Sequence, residues 1–403
     1  MRTVSRRHFL AAAGLLAAPR IAVSQSNTKP LLAYIGTYSN PLGPEGSPGH
    51  GQGIYLFEID RATAALTERA LFPNPFNPSW LAFHPSRTYL YSGNETPSFE
   101  GRSGSVSAYA VDGATGQLSP INTVSSHGAG PAYVSVHPSG KFVLVANYAG
   151  GTIAVLPIGA QGELGAATDV HEDQGAIAGR RPTSGPPGSF ALSGHDRPHA
   201  HMILPDAAGN FVFHADLGLD RIFIWKFDAE KGRLLPNSPD SVSVPAGDGP
   251  RHFVFHPNGR VFYSLQEESS TIVTYDYEPA RGTLASRGTV STLPKGFGGT
   301  NYTSEIAIAP GARYLYAANR LHDSIAWFAI SRSGDLTLAG EEPTRGDYPR
   351  SFTIDPAGTF LFCCNQRGDA VTSFRIDPRT GALSFTGQYT PLGTPAMILF
   401  LNS

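Results

Sequence analysis

Asp112-Gly-Ala-Thr-Gly-Gln-Leu118 is a polar turn that closes on a leucine, and the chain writes it seven times. The other copies begin at Asp60, Gly159, Asp228, Glu278, Ser331 and Asp377 and end at Leu66, Leu164, Leu234, Leu284, Leu336 and Leu383. From leucine to leucine the steps are 52, 46, 70, 50, 52 and 47 residues. A period near fifty is the mark of a propeller or a repeat array. Between these turns lie pairs of apolar strands joined by a second kind of turn, of which His137-Pro138-Ser139-Gly140 is one copy. Pro fixes φ on the way in and Gly supplies φ > 0 on the way out. Six such hairpins stand at His84, His137, Pro205, His256, Pro310 and Asp355, one short of the seven leucine turns. The chain ends account for the difference: Pro395–Leu401 matches the first strand of a hairpin and Leu31–Thr37 the second. The expectation is an all-β, seven-bladed β-propeller whose last blade is closed by strands from both termini, which removes the open sheet edge.

Each unit reads as four antiparallel strands A to D, with A innermost. In one unit A is Ala132–Val136, B is Lys141–Asn147, C is Thr152–Pro157, and D follows Leu164. The 70-residue step holds a Gly- and Pro-rich loop insertion at about 165–198, placed over one face of a single domain spanning 31–403.

The composition suits many short strands: 45 Gly and 33 Pro punctuate a chain with 10% aromatics. A formal charge of −2 supplies no basic face, so no nucleic-acid partner is expected. Residues 1–24 read as a signal peptide. Ser5-Arg6-Arg7-His8-Phe9-Leu10 is a twin-arginine pattern, Ala11–Ala18 carries no charge, and Ala22-Val23-Ser24 offers small residues for cleavage. Cleavage after Ser24 takes the formal charge from −2 to −6. Beyond this segment no apolar run is long enough to span a bilayer. A periplasmic or secreted monomer, exported folded and without a membrane partner, is expected. Cys363 and Cys364 are neighbours in one strand and point to opposite faces, so they read as core fillers.

Connectivity sorts the polar residues. Strand A starts at one face, the hairpin turns at the other, and strand B returns, so residues before A and after B share one mouth of the channel. His84, His137 and His256 lie in hairpins, repeat with the scaffold, and read as structural. The opposite set does not repeat: His199, His201, Asp216, Arg251, His252, Glu267, Glu305, Asn319, Arg320 and Arg350 converge on the mouth. Glu95, Glu268, Arg367, His171 and His195 read as structural or merely nearby. No third ligand stands at a telling spacing from His199 and His201, so no metal is expected, and no cofactor is implied.

The sequence resembles the propeller lactonase family, which contains the seven-bladed 6-phosphogluconolactonases and the fungal carboxymuconate cyclase. The carriers are Tyr34–Tyr38, Gly130–Ser135 with Ala146–Tyr148, Pro198–His201, Ala215–Arg221, Gly249–His252, Ser304–Ile306, and Ala318–Arg320 with Asp323–Ile325. Together they run over nearly the whole chain after the signal. The family's Asn-Glu-Leu after strand B reads Gln266-Glu267-Glu268 here. The export signal is a second departure, because phosphogluconolactone hydrolysis is a cytoplasmic task; whether the lactone is phosphorylated stays open.

The resemblance implies hydrolysis of a small-molecule sugar lactone at the mouth. That reaction needs a base for water, a site for the oxyanion, and a proton for the leaving alkoxide. The base is assigned to Glu267, with Glu305 second. The oxyanion and product carboxylate go to Arg320 and Arg251, and the proton to His199 or His201 with Asp216 setting the tautomer. Arg350, His252 and Asn319 complete the binding set. Neither Glu267 nor Arg320 is expected to matter to folding, since both stand at loop ends. The alternatives are a lactone-forming, muconate-type cyclase and a non-enzymatic interaction ring.

Overall fold

Phe142-Val-Leu-Val-Ala-Asn147 is buried along its whole length because neighbouring sheets cover both faces of its own sheet. A strand covered on both faces can be apolar throughout instead of at every second position. Outer strands show the contrast: Leu336–Pro343 buries its first leucine and leaves most of the rest to solvent. In the computed structural model, which describes residues 30–401 except 44–46, 100, 102 and 178–180, 28 strands form seven four-stranded antiparallel sheets. They are numbered β1 to β28 in chain order. Among the described residues there is no α-helix, hence none that could cross a membrane. The twin-arginine signal expected at residues 1–24 lies outside the described residues.

The chain ends meet as expected. β28 (Pro395–Phe400) pairs with β1 (Leu31–Thr37), which continues to β2 (Gly53–Ile59) and β3 (Leu66–Pro73) in one sheet. Ala33 stands opposite Phe400 and Gly36 opposite Met397.

Both repeated turns tie one blade to the next. Asp112 Oδ1 accepts the N–H groups of Ala114 and Thr115 at 2.8 and 2.9 Å, and Gly116 takes φ 76°. A Cβ on Gly116 would stand 2.9 Å from Leu56 Cδ2 of the neighbouring blade, so glycine is needed for space as well as for φ. The Tyr34 hydroxyl of that blade donates to the Gly116 carbonyl at 2.7 Å. Tyr91, Tyr263 and Tyr316 do the same to Gly162, Gly334 and Gly381 at 3.2, 2.7 and 2.8 Å. On the hairpin side, His84 Nε2 and His137 Nε2 meet the carbonyls of Gly140 and Gly209 at 2.9 and 2.8 Å.

The unit with the long step keeps its outer strand: β11 (Asp169–Glu172) pairs with β10 (Thr152–Pro157). The described residues from Asp173 to His199 carry no strand. Cys363 and Cys364 are free and buried. Cys363 joins the apolar cluster of Tyr316 and Ile325, Cys364 that of Ile35 and Ile398.

Candidate active site

In every blade the innermost strand carries one residue more than its partner at the same level. These strands are β4 (Pro78–Phe83), β8 (Pro131–Val136), β12 (Ala200–Pro205), β16 (Pro250–Phe255), β20 (Thr303–Ile308), β24 (Pro349–Ile354) and β28. The pairing passes over Ser79, Ala132, His201, Arg251, Ser304 with Glu305, Arg350 and Ala396. A β-bulge kinks its strand and re-aims a side chain. Repeated around a closed ring, it directs one position per blade at the axis. Ser79, Ala132, His201, Arg251, Arg350 and Ala396 line a small axial cavity of about 10 Å³.

Above it opens a mouth cavity of about 330 Å³, to which the structure brings His201, Glu267, Arg320 and Arg350. Glu267 Oε2 pairs with Arg320 Nη2 at 2.6 Å and Arg251 Nε at 3.0 Å, and its Oε1 accepts the Ser193 hydroxyl at 2.7 Å. Burial alone would raise the Glu267 pKa, but Arg320 and Arg251, with the bonds from Arg320 and Ser193, bring it from 4.5 to about 2. Burial, with Arg350 and Arg320 adding to it, pushes Arg251 down to about 10. Arg320 lies between the rings of Tyr302 and Tyr348, 5.5 and 5.2 Å from their centroids. Arg350 reaches Glu95 Oε1 at 3.5 Å, and Glu95 Oε2 accepts from Tyr38 at 2.8 Å and Ser79 at 2.6 Å. Glu267 and Arg320 stand just after their strands, as expected, but they are almost wholly buried. They belong to the packed interior rather than to a solvated rim.

The two histidines of the Pro198–His201 run part company. His199 stacks on Tyr148 at 4.3 Å, with Nδ1 on the Tyr148 carbonyl at 3.0 Å and Nε2 on Asp196 at 2.7 Å. Both of its nitrogens face scaffold oxygens. His201, on the bulge, borders both cavities, and its buried Nδ1 has no hydrogen-bond partner among the described residues. Burial, then the charges of Arg251, His252, Arg350 and Arg320, hold its pKa well below 6.5. The imidazole is therefore neutral, with a lone pair on one of its two nitrogens.

Asp216 does not touch either imidazole. Its Oδ1 accepts the backbone N–H groups of His199 and Leu219 at 3.0 and 2.9 Å. Asn319 lies outside the mouth cavity, its amide engaged by Thr292, Asn301 and Ser324. Asn94, Asn147 and Asn365 occupy the same place in their own blades, each opposite the first residue of the innermost strand, and are equally buried. The repeated asparagine was a readable sign of scaffold, by the reasoning that set the hairpin histidines aside. His252 and Glu305 sit one layer deeper on the axis, Nδ1 to Oε1 at 3.1 Å, and Glu305 borders the central channel instead of the mouth.

Leu42 and Ser193 line the mouth without having been expected there; Glu95 and Tyr148 follow from the strand direction, although Glu95 was read as structural or merely nearby. Ser193 comes from the long loop, which is fastened by charge. Glu268 Oε1 accepts the Ser193 hydroxyl at 2.9 Å and the Gly194 N–H at 3.1 Å. Its Oε2 meets His195 Nδ1 at 2.6 Å, and His195 Nε2 meets Asp220 at 3.0 Å. Burial would lower the His195 pKa, but the bonds from Asp220 and Glu268 raise it from 6.5 to about 10. A base whose pKa rises on folding stabilises fully below its unfolded value, and that contribution is lost as pH climbs through the folded value. The wild-type melting temperature should therefore fall between pH 6.5 and 10. His195→Gln should cost about 3 kcal/mol at neutral pH and flatten that slope. Melting curves across this range check it; an unchanged slope in the variant would put the titrating group elsewhere.

A closed propeller with an imidazole, two carboxylates and two guanidiniums gathered at one mouth has the layout of an enzyme for a small polar substrate. The family described as seven-bladed β-propeller lactonases matches residues 32–400, and the chain belongs to it. The 6-phosphogluconolactonase of Bacillus subtilis (strain 168) is 32% identical over 372 residues, 92% of this chain and 98% of that protein. The 6-phosphogluconolactonase of Formosa agariphila is 31% identical over 339 residues, 83% of this chain and 91% of its own. Among solved structures, the periplasmic gluconolactonase of Pseudomonas aeruginosa has a TM-score of 0.81 at 27% identity, covering 92% of this chain and 99% of that one.

Proposed function

We propose that the chain hydrolyses a sugar lactone in the mouth cavity, with His201 moving the proton and Arg320 and Arg350 stabilising the anion. The observation that carries this reading is the neutral, cavity-facing imidazole of His201 set among guanidiniums. His201 takes a proton from water as the oxygen attacks the lactone carbonyl. The carbonyl oxygen becomes an oxyanion against Arg320 and Arg350, whose forked donors suit it and then the product carboxylate. The ring C–O bond breaks, and His201 returns its proton to the leaving alkoxide. The negative charge that forms offsets the arginine charge that holds His201 acidic, so the base strengthens during the step that needs it. Glu267, the base in the sequence reading, is better suited to another task. A carboxylate held at about 2 by two guanidiniums removes protons from water poorly, and its bonds instead fix Arg320 and Arg251 in place.

The charges facing the mouth favour an uncharged sugar: Glu95 and Glu267 offset Arg350 and Arg320, which suits a neutral lactone better than a phosphate dianion. The names of the relatives support a lactone substrate of either kind. The test is proton release from glucono-δ-lactone and, separately, from its 6-phosphate, by the chain without its first 24 residues. Rates no faster than buffer on both would overturn the reading; a preference for the phosphate would overturn the charge argument alone.

We further propose export through the twin-arginine route, supported by Ser5–Leu10 and by the periplasmic relative of known structure. Replacing Arg6 and Arg7 by Lys should keep the precursor inside the cell. Undiminished export of that variant would mean the segment is read another way.

A further inference from the structure

The axis below the mouth carries a second histidine and an acid that the reaction as described does not use. His252 Nδ1 lies 3.1 Å from Glu305 Oε1, which also takes the Ile306 N–H at 3.0 Å. Trp80 and Tyr133 meet the His252 ring edge to face at 5.2 and 5.4 Å, so the ring cannot turn freely. Its other nitrogen, Nε2, is buried and without a hydrogen-bond partner among the described residues, as is His201 Nδ1. The two rings stand 5.0 Å apart, and both border the axial cavity of about 10 Å³. That is about the volume one water occupies, and a buried water settles where otherwise unsatisfied polar atoms face it.

We propose that Glu305 and His252 are positioning residues that, through one water in the axial cavity, hold His201 with its proton on Nδ1 and its lone pair on Nε2. A neutral imidazole has one donor and one acceptor nitrogen. Glu305, a carboxylate, can only accept, so His252 must carry its proton on Nδ1 and leave Nε2 as acceptor. The water donates to that nitrogen and accepts from His201 Nδ1–H. This leaves His201 Nε2 bare for the mouth cavity, the form a general base needs. The proposal rests on the reading of His201 as the proton-transfer group. The charged groups around His201 are Arg251 and His252 from β16, Arg350 from β24, Arg320 beyond the strand before it, and Glu267 and Glu95 pairing with these arginines. None of the arginines can accept a proton from Nδ1–H, so the axis is where its acceptor is found.

Two measurements test this, the first without substrate. In protein labelled with ¹⁵N-histidine, and assigned with His201→Gln and His252→Gln, both rings should show Nδ1 protonated and Nε2 bare. In Glu305→Gln, whose amide can also donate, the signals should show loss of that single form. A wild-type His201 protonated on Nε2, or signals unchanged by Glu305→Gln, would overturn the proposal. The second is the pH profile. Glu305→Gln should leave KM within about twofold and lower kcat by about ten- to a hundredfold, the effect of losing a partner that orients a reactive imidazole. Because the carboxylate favours protonated His201, its loss should also move the acid limb of kcat/KM to lower pH, which a purely structural role would not do. If Glu305→Gln fails to fold, His252→Gln should give the same tautomer change in His201. Expected ¹⁵N signals in a chain that opens no lactone would uphold the relay and overturn the lactonase reading instead.

Discussion

A chain carrying His201→Asn should open an aldonolactone about a thousandfold more slowly than the wild type, within the range that general acid–base catalysis contributes. Its melting temperature should stay within a few degrees. The imidazole is buried among positive charges that disfavour its protonation, and its buried Nδ1 has no hydrogen-bond partner among the described residues, so little stability depends on it. Substrate binding should be less affected than turnover, because Arg320 and Arg350 remain. The informative companion is His137→Ala on the opposite face, which removes a bond to Gly209 and should lower the melting temperature without touching kcat. If the hairpin histidine proved the more damaging to turnover while melting stayed normal, the reaction would belong to the other face of the ring.

Deleting Thr394–Ser403 should remove the cooperative melting transition altogether. The segment contributes β28, whose Ala396, Met397, Ile398 and Phe400 are buried between the blades on either side. At about 2 kcal/mol for each large apolar side chain, together with a full ladder of backbone bonds, the loss matches the whole net stability of an ordinary domain. It would also leave β1 with an unpaired inner edge, an invitation to association between molecules. Circular dichroism on heating, with gel filtration of the same sample, checks both expectations. A truncated monomer that melts where the full chain does would mean that the ring is held closed by other means.

The blade count and the closure were legible because they are arithmetic on repeats, and a repeated turn has a single local cause wherever it occurs. Which polar residues share a face was legible because strand direction alone decides it. What the sequence hid was the bulge. Simple alternation puts His199 and His201 on the same side of a strand, and only the extra residue between Ala200 and Met202 sends one to Tyr148 and Asp196 and the other to the cavity. The same device aims Arg251 and Arg350, whose place just before an innermost strand was legible but whose inward direction was not. Ser193 and Leu42 could not have been found, since they reach the mouth on loops without periodicity. Glu95 could have been, as the acid next to Asn94 on the mouth side, and it was set aside too readily.

The joint between β28 and β1 also has a consequence for the order of events during synthesis. A ribosome releases the N-terminus first, so Leu31–Pro73 emerges with three strands of a blade and no inner partner. The six blades between can form in turn, each from a continuous stretch of chain, while the first sheet waits until residue 400 is made. The last few residues added are thus the ones that convert an open arc into a ring, and any stop short of them leaves almost the entire protein translated but none of it closed.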